Sequence, residues 1–197
     1  MRPWAAAGLA FGGVVAAGLL ASKGSSSSAV SSDSSVVWPL PDWPPDTVQE
    51  WRRGDRSFGA DRSDSKTGAH VHAGVDLGPP RKGPPGRAYG ARVLSPVAGR
   101  VELVGGNFSG AEAKRIEIVS PVYGRIVLGA VQKKAAVAEG DHVAAGQLVG
   151  WLGRYTSGAT MLHLEQFDEG PRVRWLIGKL KPPTMIDPRT SVLKAFV

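Results

Sequence analysis

Four side chains in two short segments could hold and use a metal ion. His72-Ala-Gly-Val-Asp76 offers an imidazole and a carboxylate, and Met161-Leu-His163-Leu-Glu165 offers a second pair. Two histidine nitrogens and one carboxylate suit zinc with a fourth position left to water. A thiolate site is excluded, because the chain has no cysteine. Taken singly, each residue has a plainer reading as a surface histidine, a turn aspartate or a core histidine. Only the pairing of the two clusters points to a metal.

The elements around these residues must bring them together. If residues 160–167 run as a strand, alternate side chains share a face. Met161, His163 and Glu165 then lie on one side, and Leu162, Leu164 and Gln166 on the other. The leucines suit a core, so His163 and Glu165 face a groove. In the first segment Gly74 permits a backbone conformation closed to other residues. Val75 and Leu77 anchor that strand while His72 and Asp76 converge.

Further short β-rich stretches surround both segments. Residues 92–104 hold the turn Ser95-Pro-Val-Ala-Gly99 between apolar runs, residues 115–119 alternate, and residues 125–131 are apolar. The loop Gly140-Asp-His-Val-Ala-Ala-Gly146 leads into a strand over 147–152. Turn signals about every ten residues predict an all-β, antiparallel sandwich or barrel. The abundance of Gly (26) and Pro (15) argues against a helical bundle. Residues 172–180 are the one stretch with room for a short helix.

Upstream, residues 3–22 form an uncharged apolar run, flanked by Arg2 and Lys23, that reaches about 30 Å as a helix. The expectation is a membrane anchor over 1–23, with the rest extracytoplasmic; a cleaved signal peptide is the alternative. Leu19 and Leu20 sit where a cleavage site would want small residues. Residues 24–49 read as a Ser/Pro-rich flexible linker. Within it, Trp38 and Trp43 are expected to dock on the domain. The domain itself is expected over 50–190, with a tail at 191–197. The net charge of +7 serves solubility or attraction to a polyanion. No nucleic-acid motif is present.

The series Phe58-Gly-Ala-Asp-Arg62, His72-x-Gly-x-Asp76-Leu, Val93-x-Ser-Pro-Val-Ala-Gly-Arg-Val101, Glu139-Gly-Asp-x-Val-x-x-Gly-Gln147, Leu162-His-Leu-Glu165 and Asp187-Pro188 resembles the lysostaphin/LytM-type zinc metallopeptidases with the duplicated hybrid motif. The resemblance implies a groove-bearing antiparallel β fold (a β-sandwich/barrel-sandwich hybrid) and Zn2+ held by His72, Asp76 and His163. It implies endopeptidase cleavage of peptidoglycan peptides.

The chain departs from that pattern at two positions. The family's His-x-His motif begins with a histidine where this chain has Met161. A Tyr-x-His-Leu-like segment supplies a second histidine where this chain has Ala130. Acid–base groups contribute ~10²–10⁴-fold to such a reaction, and oxyanion donors on the order of 10²–10³. A thioether and a methyl supply neither. His70 and Glu165 are the candidate substitutes, and Tyr155 could donate to an oxyanion or bind substrate. The sequence therefore supports two functions. One is a catalytically impaired domain binding peptidoglycan peptides or a partner cell-wall hydrolase; the other is an active zinc endopeptidase. The glycine-rich β motifs also resemble biotinyl and lipoyl carriers, but Lys114, Lys133 and Lys134 lack the required hairpin setting.

Overall fold

The computed structural model describes residues 35–45, 49–52, 54–63, 69–79, 86–108 and 113–197. The expected N-terminal anchor or signal, and most of the serine-rich linker, lie outside the described residues.

Among the described residues nine strands are present: β1 (Gly74–Leu77), β2 (Arg92–Leu94), β3 (Gly99–Asn107), β4 (Lys114–Ser120), β5 (Gly124–Val131), β6 (His142–Val143), β7 (Leu148–Trp151), β8 (Leu162–Phe167) and β9 (Met185–Ile186). Among the described residues the only helical pieces are short 3₁₀ turns. The main sheet runs β1-β8-β5-β4-β3-β6, with β9 also paired to β8, and β2 and β7 form a small second sheet. Every pairing is antiparallel. This is the all-β architecture that the turn spacing predicts.

Period-two alternation decides which face each strand buries. Val75 and Leu77, Leu162 and Leu164, Ile126 and Leu128, and Ile116 and Ile118 all lie in one apolar core. All eight are fully buried, so truncating a leucine or isoleucine here to alanine costs about 2–5 kcal/mol. The opposite face carries the polar partners in register. Asp76 stands across from His163, and His163 across from Gly129. Gly74, Glu165, Val127 and Glu117 form the next row. A smaller apolar cluster of Ala73, Val127, Phe167 and Met185 covers part of this face, with Phe58, Val173 and Trp175 packed against it.

The two glycine-rich turns interlock. Ser95 donates from its backbone N to Gln147 O at 2.8 Å, and Gly146 N donates back to Ser95 O at 2.8 Å. At the N-terminal side, Trp38 and Trp43 both dock on the core, as expected. The Trp38 indole lies 5.6 Å from that of Trp51 and 5.4 Å from the Phe196 ring. Leu40 on one side and Val192 and Leu193 on the other are fully buried in the same core. The packed unit thus draws on chain outside 50–190.

Two local expectations are corrected. Residues 172–180 form no helix; they run extended into a turn, because Val71 N bonds Trp175 O at 2.9 Å and the Arg172 side chain is drawn to Glu165. Gly74 is required by space rather than by an unusual dihedral. Its φ is not positive, but a Cβ there would sit 2.2 Å from the Leu164 carbonyl oxygen on β8.

Candidate metal centre

β1 and β8 place Asp76 and His163 side by side, and the stretch leading into β1 brings His72 to them. His163 Nδ1 lies 2.8 Å from Asp76 Oδ1 and 3.0 Å from His72 Nε2. His72 Nε2 lies 3.2 Å from the same Asp76 oxygen. Three donor atoms thus converge on one point from residues up to 91 positions apart. All three side chains are buried.

The atoms that turn away from this point are each held by a neighbour. His72 Nδ1 is 2.8 Å from Ser57 O, so it carries the proton and leaves Nε2 as a lone pair. His163 Nε2 is 2.9 Å from Glu165 Oε1, which fixes its proton on that side and leaves Nδ1 facing inward. Asp76 turns its second oxygen to Arg62 at 2.8 Å. Glu165 receives both arms of the Arg172 guanidinium at 2.6 Å, a bidentate pair.

Charge follows this wiring. Burial pushes the His72 pKa down, against the pull of Asp76, so its imidazole is neutral. Burial also works against His163⁺, but hydrogen bonds to Asp76 and Glu165 outweigh it and raise that pKa to about 9. Glu165 is opposed by burial, yet His163 and Arg172 bring its pKa to about 2. Asp76 lies well below the carboxylate range against its burial, through His72 and His163. In the absence of metal, the His163 Nδ1 proton therefore sits where a cation would, facing one carboxylate oxygen and one lone pair. Two neutral imidazoles and a carboxylate, each oriented by a partner, fit zinc.

The remaining predicted site residues fall differently. Met161 lies just before β8, its side chain against Gly78, and Gly78 follows the β1 residue that pairs with Leu162. Ala130 is buried near the end of β5 and holds a left-handed backbone, φ 63, unusual for a residue with a side chain. Glu165 is fully engaged with His163 and Arg172. His70 is not in the converging group, and its backbone carbonyl receives Arg62 N at 3.0 Å. Tyr155 lies beyond Phe108, ring centroids 6.1 Å apart, and Phe108 in turn lies 5.0 Å from the His163 ring. Burial and the charge of Asp76 keep the Tyr155 phenol protonated well above its ordinary range. Lys114 is the first residue of β4, paired across the hairpin with Asn107, whose side chain it binds at 2.7 Å.

Sequence reasoning missed Ser57, Arg62, Arg172 and Phe108. Arg62 ends a motif that the sequence displays, so a signal existed for it. Arg172 and Phe108 lie in loops without periodicity. Phe108 fits because Gly129 has no side chain; a Cβ there would sit 2.5 Å from the phenyl ring.

These observations define a buried two-histidine, one-aspartate centre on an antiparallel β fold. The sequence matches no protein-family model and no curated protein. Among solved structures, cbpa from L. salivarius REN shares the fold with TM-score 0.55 at 18% identity, over 83% of this chain and 97% of that one. The antimicrobial peptidase lysostaphin from Staphylococcus simulans is similar over 64% of this chain and 45% of its own, with 25% identity and TM-score 0.42. A zinc containing peptidase from Vibrio cholerae is similar over 65% of this chain and 36% of its own, with 22% identity and TM-score 0.38. The chain spans less than half the length of these last two.

Proposed function

We propose that this is a zinc-binding, peptidase-like domain acting at the cell wall, impaired in catalysis, that binds peptidoglycan peptides or a partner hydrolase. The observation that carries the reading is an asymmetry. Every ligand candidate has an orienting partner, while Met161 and Ala130 occupy the positions where the resembling enzymes carry histidines.

Zinc held by His72, Asp76 and His163 supplies Lewis acidity toward a carbonyl oxygen and toward water. The chain must supply everything else. Glu165 cannot serve as a general base near neutrality: at a pKa of about 2, with both oxygens held by His163 and Arg172, it takes up no proton. Its work is to set the tautomer of His163. Tyr155 keeps its proton and so can donate to an oxygen, but it cannot accept one. A centre with a donor and no base is suited to holding a peptide carbonyl more than to cleaving its bond.

The test is metal content of the purified protein by elemental analysis, paired with hydrolysis of purified peptidoglycan with and without chelator. One zinc per chain, absent in His163→Ala, together with retention on wall sacculi and no chelator-sensitive peptide release, is the expected result. Chelator-sensitive release would replace this reading with that of an active endopeptidase. A metal-free chain would end both.

A further inference from the structure

Residues 170–186 carry Arg172, Arg174, Lys179 and Lys181 and no acidic residue. Their middle is a tight turn that holds aliphatic side chains in water. Leu176 is 47% exposed, Ile177 38% and Leu180 94%. Arg174, Lys179 and Lys181 are exposed beside them.

The turn is built rather than loose. Lys179 N donates to Leu176 O at 3.1 Å, and Gly178 supplies the positive φ of 74 that the turn requires. The Trp175 indole closes it from below by donating to Lys179 O at 3.0 Å, and its ring lies 5.6 Å from that of Phe58. On the entry side Val71 N holds Trp175 O; on the exit side Pro182 and Pro183 lead into β9, which pairs with β8. Lys181 bends its ammonium back to the Met185 carbonyl, closing the exit.

We propose that this turn docks on an anionic lipid surface, seating Leu176, Ile177 and Leu180 at the acyl boundary with Lys179 and Arg174 at the headgroups. Exposed aliphatics ringed by cations suit that interface, where apolar burial and attraction to anionic lipid add. An anionic polymer would engage the cations alone and leave the aliphatic tip unexplained. Because the turn is already ordered, docking loses little conformational freedom. The tip residues Leu176, Ile177 and Leu180 are not among the converging His72, Asp76 and His163.

The full chain tests this directly. It has no cysteine, so Leu180→Cys labelled with a polarity-sensitive fluorophore reports the tip alone, whatever the N-terminal run does. With phosphatidylcholine vesicles containing phosphatidylglycerol, the emission shifts to the blue and is quenched by acyl-chain quenchers. With phosphatidylcholine alone it does not shift. Lys179→Gln weakens the vesicle affinity read from this response about fivefold, the equivalent of ~1 kcal/mol for the one charge removed. Leu176→Ser with Ile177→Ser in the labelled chain removes it while thermal unfolding stays unchanged. A probe that remains water-like on vesicle-bound protein overturns the proposal, as does an equal shift on neutral vesicles. Retention of the response in the serine variant also overturns it.

Discussion

The two sides of the candidate metal centre are finished to different degrees. On the holding side, each donor has a second contact: Ser57 for His72, Arg62 for Asp76, Glu165 and then Arg172 for His163. At the positions where the resembling enzymes carry histidines stand a methionine and an alanine, and Tyr155, which keeps its proton, lies beyond Phe108. On the proposed reading, orientation of ligands and transfer of protons are separable properties of one sheet. Ala130 makes the separation visible. It keeps a left-handed backbone, at a cost of roughly 1–2 kcal/mol, with only a methyl to present.

The comparison breaks most severely at its centre. His163→Ala should abolish zinc binding and destabilise the metal-free protein by about 3–5 kcal/mol, because Asp76 and Glu165 lose the cation between them. Elemental analysis and denaturant unfolding read the two effects. Unchanged metal content would show that the ligands lie elsewhere.

Installing histidines at Met161 and Ala130 sharpens the comparison from the other side. Histidine tolerates the left-handed region better than most residues. Chelator-sensitive peptidoglycan hydrolysis should rise by about 10²-fold or more over wild type, with metal content constant. No gain would mean that the acting side lacks more than these two groups.

Glu165→Gln probes the link between the sides. Removing the charge that orients His163 should weaken zinc about 10–100-fold, measured by competition with a chelator. If Glu165 instead worked as a base, binding would hold and any residual activity would fall.

The effect of pH separates metal from proton. With His163 at about 9, zinc must displace a proton below that pH, so apparent affinity falls about tenfold per unit as pH is lowered. Stability of the metal-free protein runs the other way. The raised imidazole pKa stabilises the fold fully below 6.5, and that contribution is lost as pH rises through about 9. Glu165 contributes above 4.5 and fades as pH falls through about 2. Thermal melts of apo and zinc-loaded protein across this range should diverge with increasing pH.

The smallest effect concerns the strained position. In Ala130→Gly, relief of the backbone and loss of a buried methyl nearly cancel, leaving a change within about 1 kcal/mol. A loss of several kcal/mol would show that the methyl packs against the core as a structural residue.

Much of this molecule was legible in its residues. Alternation placed Leu162 and Leu164 inward and His163 and Glu165 outward, and the same pattern sorted β4 into Ile116 and Ile118 against Arg115 and Glu117. The turn motifs located the strand ends. The role of Glu165 was open in sequence, because a carboxylate two residues from a candidate ligand can act as base or as brace; the Arg172 fork on both its oxygens supports the proposed brace. The stretch 172–180, which had room for a short helix, runs without one for the same reason, since a long-range pair outweighs a weak local preference.

What the sequence determined is therefore local: which side of each strand meets the core, where strands stop, and which residue types are available for zinc. Only the tertiary structure decided that Asp76 stands beside His163, that Ser57, Arg62 and Arg172 close around them, and that Phe108 lies over Gly129. A period of two is written into every strand by its own side chains. Register across strands and the closure of loops depend on partners far along the chain, which no local pattern encodes.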